Sequence, residues 1–188
     1  SSIRLITHNS GIYITIDHSL YEVNEENLSL INDNLPSHLR GFGRDESGYW
    51  FLNGTYGLYH LPIGSANWEY KSQIITDLVF DYAHITIIDD RLFIPAYGHV
   101  YYSDDSGATW NKSNMPLPNF SSTNPGMIVM HGGDMYLAAQ STHTGVMVSH
   151  DRGETWSFFN DNLGNTQIGS IVLADSLLFL TAKNSGLW

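Results

Sequence analysis

Two stretches decide how this chain is read: SDDSGATW at residues 103–110 and SHDRGETW at residues 149–156. Both follow S-x-D-x-G-x-T-W. Ser103, Asp105, Gly107, Thr109 and Trp110 are matched offset for offset by Ser149, Asp151, Gly153, Thr155 and Trp156. A catalytic residue is usually needed once, whereas a residue set that recurs at fixed offsets belongs to a repeating architecture. The stretch also has a local logic. An Asp side chain accepts hydrogen bonds from backbone N–H groups across a turn. Gly supplies a positive φ, Ser and Thr hydroxyls close further bonds, and Trp folds back onto apolar surface. Each residue therefore has a folding role that requires no substrate.

Around these stretches the texture is β. Short segments rich in Ile, Val, Tyr, Phe and Leu (GIYITID, YWFLN, RLFIPAY, DMYLAAQ, LLFLTA) alternate with turn signals such as DESG, DDSG, HGGD and NSG. No stretch keeps a helical period for three turns; YEVNEENLSLIND comes nearest. A glycine opens one strand of each unit, at Gly11, Gly57, Gly98, Gly145 and Gly186, with spacings of 46, 41, 47 and 41 residues. That period suits a four-stranded propeller blade. With strands named A to D from the axis outward, the repeats fall at approximately 1–31, 32–72, 73–114, 115–160 and 161–188. The first shows strands B, C and D (IRLIT, GIYIT, LYEVN) without A, and the last stops within C, so both are read as partial. The expected fold is therefore an all-β propeller of four-stranded antiparallel blades, with about four to five repeats. Three readings of its ends stay open: a segment of a larger propeller, part of a two-chain assembly, or a compact five-bladed ring.

Composition narrows the function. The 188 residues carry a net charge of −11 with only eight Lys and Arg. Nucleic acid is excluded as a partner, because its binding rests on neutralising phosphates. The absence of cysteine removes disulfides, Cys-ligated metals and a thiol nucleophile. No apolar run reaches the length of a membrane span, so no membrane insertion is expected. SSIRLITHNSG has no charged region followed by an apolar one, so no signal peptide is expected in these residues.

The S-x-D-x-G-x-T-W stretches resemble the Asp-box, the bacterial neuraminidase repeat. Weaker traces are LPIGSANW at residues 61–68, which keeps the Trp, and TIDHSLYEV, which keeps Asp17. FGRDESGYWFLNGTYGLYHL is also similar to blades of sensor-type propellers. Families with the repeat include sialidases, other glycosidases, sortilin-type sorting receptors and photosystem assembly factors. The resemblance thus implies the propeller strongly and the activity weakly. It also implies that the boxes lie at C–D turns on the outer rim, opposite the usual binding face. TAKNSGLW resembles the last repeat of secreted Bacteroidetes-type propellers, which implies a bacterial secreted or cell-surface location.

The candidate sites are few. A sialidase needs three clustered arginines, but only Arg40 and Arg44, in LRGFGRD, fall on or near an inner strand. Another glycosidase needs two carboxylates near the axis. Asp77 and Asp81 are the best placed, beside Asp45, Glu46, Asp89 and Asp90, and all read more simply as turn residues. The nine histidines show no metal-ligand spacing, and neither a G-x-S-x-G elbow nor a P-loop is present. No catalytic residue, metal or cofactor is assigned. The binding face of a propeller carries the B–C and D–A loops. Here the B–C loops place Tyr56, Tyr97 and His143 before or close to the repeating glycine, so these three, with Arg40 and Arg44, are the candidate ligand contacts. The expected function is a non-catalytic, exported or cell-surface recognition or scaffold module for a glycan or protein ligand. Additional blades or a partner chain are possible associates. The alternative is part of a glycoside hydrolase of sialidase or glucanase type.

Overall fold

The computed structural model describes residues 3–8, 11–74, 83–96, 98–116, 125–139, 145–161, 163, 168–174, 177–182 and 186–187. Among them every regular element is a β-strand. The chain divides into two compact units, Ser1–Ile75 and Thr76–Trp188.

The first unit holds two sheets. β1 (Ile3–His8), β2 (Gly11–Ile16), β3 (Ser19–Asn24) and β4 (Asn27–Asn32) pair antiparallel in chain order. β5 (Leu39–Arg44), β6 (Gly48–Asn53), β7 (Gly57–Pro62) and β8 (Glu69–Gln73) do the same. β6 is buried along its whole length, as expected of a strand covered on both faces. Between the sheets, Tyr13 of β2 meets Phe42 of β5 and Tyr49 of β6, with ring centroids 5.0 and 6.0 Å apart. Aromatic pairs at such distances add to the burial of their area.

The first sheet corrects the sequence reading in one respect. It is complete, and IRLIT, GIYIT and LYEVN are its first three strands rather than its last three. The fourth is NLSLIN, which pairs with β3 through Val23–Leu28 and Tyr21–Leu30 across a turn at Glu25 and Glu26. Its two asparagines conceal a period-2 pattern in which Leu28 and Leu30 share one face. The segment nearest to helical is therefore a β-hairpin. Gly11 consequently opens a second strand, and Asp17 (φ 53°) sits in the two-residue β2–β3 turn, so it is no counterpart of the repeated box.

The second unit begins with the short strand β9 (Ala83–His84). A four-stranded sheet follows: β10 (Thr86–Ile88), β11 (Arg91–Ala96), β12 (His99–Ser103) and β13 (Asn111–Lys112). The next comprises β14 (Pro125–His131), β15 (Asp134–Ala139), β16 (Val146–Ser149) and β17 (Ser157–Phe158). The last comprises β18 (Ile168–Ala174), β19 (Leu177–Ala182) and β20 (Gly186–Leu187). Strand alternation builds two cores from the middle sheet. Ile128, Leu137 and Met147 pack with Phe93, Val100 and Trp156 on one side. Val129, Ala138 and Val146 pack with Ile168, Ile171 and Ala182 on the other. The third strands of successive sheets start at Ser19, Gly57, His99, Val146 and Gly186, in steps of 38, 42, 47 and 40 residues.

Candidate functional site

The two repeated boxes share one hydrogen-bond pattern, and their carboxylates are consumed by their own turns. Ser103 Oγ donates to Asp105 Oδ1 (2.8 Å) and accepts from Gly107 N (2.9 Å). Thr109 donates its N–H to Asp105 Oδ1 (2.8 Å) and its hydroxyl to Oδ2 (2.6 Å). In the second box, Ser149 donates to Asp151 Oδ1 at 2.8 Å and Gly153 N to Ser149 Oγ at 2.8 Å. Thr155 N and Oγ1 reach Asp151 at 2.9 and 2.6 Å. Gly107 and Gly153 have φ of 81° and 85°, and the preceding Ser106 and Arg152 are also left-handed. Trp156, buried, donates its indole N–H to Gly153 O at 3.1 Å. These bonds to the ionised form hold both carboxyls below the usual carboxylate range. In Asp105 the Thr109 hydroxyl is the largest cause. In Asp151 burial pushes upward but is outweighed by Thr155 and Ser149.

The LPIGSANW loop has lost the aspartate, with Ile63 in its place, and is held from outside. Asn32, the buried last residue of β4, accepts from Trp68 Nε1 (2.9 Å) and donates to Ala66 O (2.9 Å). At the β5–β6 turn Asp45 does similar work. It accepts from Ser47 N and Oγ and Gly48 N through Oδ1, and from Trp50 Nε1 through Oδ2 at 2.8 Å. His60 stacks on Trp50 with centroids 4.2 Å apart and reaches Ser47 Oγ at 3.1 Å. The order Asp–Ser–His differs from a catalytic triad, in which the carboxylate orients the histidine. Here it holds the serine, and burial lowers the His60 pKa.

Arg91 is the least anticipated member of this rim. It follows the Asp89–Asp90 turn, is buried, and makes a two-pronged contact with Asp104 of the first box (2.6 and 2.9 Å). Its Nη1 donates to Arg152 O of the second box at 2.7 Å, and Nη2 lies 3.5 Å from Glu154. The guanidinium also lies 4.6 Å from the centroid of Tyr102. One fork thus joins two neighbouring hairpins, and only a planar guanidinium can make all these contacts. Arg91→Lys is expected to lower stability by about 1 kcal/mol, read from the urea midpoint.

The opposite ends of the strands carry the B–C and D–A connections. In the first unit these form a cleft of about 400 Å³, lined by Ile3, Arg4, Thr15, Asp17, Leu35, Ser37, His38 and Leu39. Arg4 Nη1 donates to Leu39 O at 3.0 Å, which fixes the start of β5 against β1. Leu35 N donates to His18 O at 2.8 Å, tying the β4–β5 link to the β2–β3 turn. The neighbouring β6–β7 loop is organised by buried Asn53, whose Oδ1 accepts from Thr55 N, Thr55 Oγ1 and Gly57 N at 2.8–3.0 Å. The loop holds Tyr56 half-buried at φ 63°, a conformation a bulky residue rarely adopts. A Cβ built on Gly54 would lie 3.7–3.8 Å from His38, so this loop abuts the cleft.

The structure therefore groups some of the expected contacts and separates others. Tyr56 lies in the β6–β7 loop beside the cleft. Arg40 lies at the bulged start of β5, towards the same end. Arg44 lies at the far end of β5, by the β5–β6 turn, 5.5 Å over the Tyr49 ring. Tyr97, His143, Asp77 and Asp81 lie outside the described residues. Arg4, Thr15, Ser37 and His38 were not among the expected ligand contacts. Ser37 and His38 lie in DNLPSH, the Asn- and Pro-containing link from β4 to β5. Among the described residues no three His, Asp or Glu side chains gather to hold a metal.

No protein-family model matches the chain, and no curated protein matches it in sequence. Its likeness is to solved structures. YCF48 bound to D1 peptide matches with a TM-score of 0.69 and 17% identity, over 97% of this chain and 60% of that one. A protein of unknown function from Bacteroides thetaiotaomicron matches with a TM-score of 0.69 and 10% identity, over 94% and 55%. The extracellular domain of a putative one-component system from the same organism matches at 0.51 and 14%, over 97% and 31%. The successive antiparallel sheets and these likenesses define the fold as a β-propeller. The chain spans between about a third and three fifths of the length of the structures it matches.

Proposed function

We propose that the chain is a non-catalytic recognition module that binds a segment of another protein across the face carrying the B–C and D–A connections. The observation that carries this reading is the contiguity of the Arg4–His38 cleft with the strained Tyr56 loop. A guanidinium, hydroxyls and an imidazole line this cleft and the loop carrying Tyr56 abuts it, a mixture that matches the amide, charge and apolar surface a peptide presents. The peptide bound to YCF48 supports a peptide over a glycan as the ligand class. We further place the protein in a bacterium, exported or at the cell surface. The likeness to an extracellular domain from B. thetaiotaomicron supports that placement. The boxes, by the same reading, are the Asp-boxes of this propeller and serve only to fold it.

The test is capture of the 188-residue chain on an array of 12-residue peptides, with a glycan array alongside. Peptide capture is expected. Tyr56→Asn keeps the left-handed backbone but removes the ring, and it should weaken binding about tenfold, as should Arg4→Gln. Ala108→Ser, on the opposite rim, should change nothing. Capture by glycans alone, or peptide capture that ignores both cleft substitutions, overturns the reading.

A further inference from the structure

We infer that the outer face of the β1–β4 sheet is an internal surface of a larger propeller, covered by a further four-stranded blade of the same polypeptide. The sheet carries large apolar side chains on both sides. Ile6, Tyr13 and Leu20 are buried on one side. On the other, Ile3, Leu5, Ile12, Leu28 and Leu30 are 71, 64, 44, 47 and 56% exposed. The register makes that second side continuous: Ile3 faces Ile16, Leu5 faces Ile14, Ile14 faces Tyr21, and Tyr21 faces Leu30. No charged residue interrupts it, in a chain with a net charge of −11. An antiparallel sheet with one wet face alternates apolar with polar residues, whereas apolar residues on both faces mark a sheet covered twice. A contiguous exposed apolar face marks an interaction surface.

The middle sheet of the second unit shows what such a face meets. Its two sides pack on apolar faces of the sheets before and after it. The final sheet repeats the open arrangement on a smaller scale. Val172 and Leu177 are 51 and 61% exposed, and the pairings Val172–Phe179 and Ala174–Leu177 put them on one side. Ring size selects the occupant. The chain is matched over at least 94% of itself, yet it fills only 60 and 55% of two propeller chains at a TM-score of 0.69. Two copies would overfill such a ring. Further blades, each a step of 38 to 47 residues like those already present, would complete it. This inference holds whether or not the cleft binds a peptide.

The chain has no cysteine, so single substitutions Leu5→Cys and Leu30→Cys report on this face alone. The gene is read on both sides of the codons for these residues. The longest continuous frame and the 188-residue chain are then made with each substitution. The frame is expected to continue into further strand-rich repeats. Both thiols should react with an aromatic disulfide reagent at least roughly 100-fold more slowly in the longer product. A thiol from Ala108→Cys should stay reactive in both. A frame that closes on both sides overturns the inference, as do thiols equally reactive in the two products. Protection already present in the 188-residue chain also overturns it. Light scattering then identifies the cover as a second copy if that chain is dimeric, or as its own residues if it is monomeric.

Discussion

Gly153→Ala is expected to lower the stability of the second unit by about 3 kcal/mol, from strain and overpacking together. Gly153 sits at φ 85° in the second box, where an L-residue is strained. The added Cβ would also lie 2.6 Å from Cε1 of Phe93, closer than any real contact. Phe93 is 1% exposed and belongs to the core with Val100, Ile128 and Trp156, so it has little room to move. Gly64→Ala is the matched control. Gly64 has φ 78° but nothing within 4 Å of a built Cβ, so it should cost about 1 kcal/mol from strain alone. Urea midpoints followed by circular dichroism separate the two. Equal losses would mean that Phe93 yields and that the box glycine is chosen for its backbone alone.

That contrast also explains how much could be read from the sequence. The boxes were legible because their bonds are local. Ser103 to Asp105, and Asp105 to Thr109, are contacts across two and four residues, and the same types recur at the same offsets. Strands such as RLFIPAY and DMYLAAQ were legible because they are short apolar runs whose ends are marked by turns. The first sheet was misread because Gly11 imitates the glycine that opens each third strand. Leu28 and Leu30 were hidden among asparagines. Nothing local distinguishes a Gly before a second strand from a Gly before a third; only pairing does.

The candidate site was less legible for the same reason. Arg4, Thr15, Asp17, Ser37 and His38 come from two strands, a turn and a link, and only the packing of β1 against the start of β5 gathers them. Tyr56 could be named from its place before a repeating glycine. Its strained backbone depends on Asn53, a residue that reads as an ordinary turn former. Arg91 reaches a carbonyl 61 residues away, and Asn32 replaces a missing aspartate from 36 residues before Trp68. Long-range polar contacts of this kind carry no periodicity, so sequence patterns do not show them.

Asp151→Ala is expected to destabilise the second unit by about 2 kcal/mol at neutral pH, allowing for the exposure of the turn. It strands the Thr155 N–H and the hydroxyls of Ser149 and Thr155 together. The charge makes the effect depend on pH, and its sign follows from the direction of the shift. Both Asp105 and Asp151 have folded-state pKa values below the usual carboxylate range. The unfolded chain therefore binds protons first as acid is added. The stabilisation is fully present above the unfolded value of about 4 and is lost as pH falls through the folded value. The parent chain should accordingly lose stability steeply below about pH 4. The double variant Asp105→Asn, Asp151→Asn should start lower at neutral pH and fall less steeply, because the substituted turns have no proton to take up. Urea midpoints at several acidic pH values distinguish the two slopes. Parallel slopes would show that the acid response lies in other carboxylates and that the boxes hold their shape without the charge.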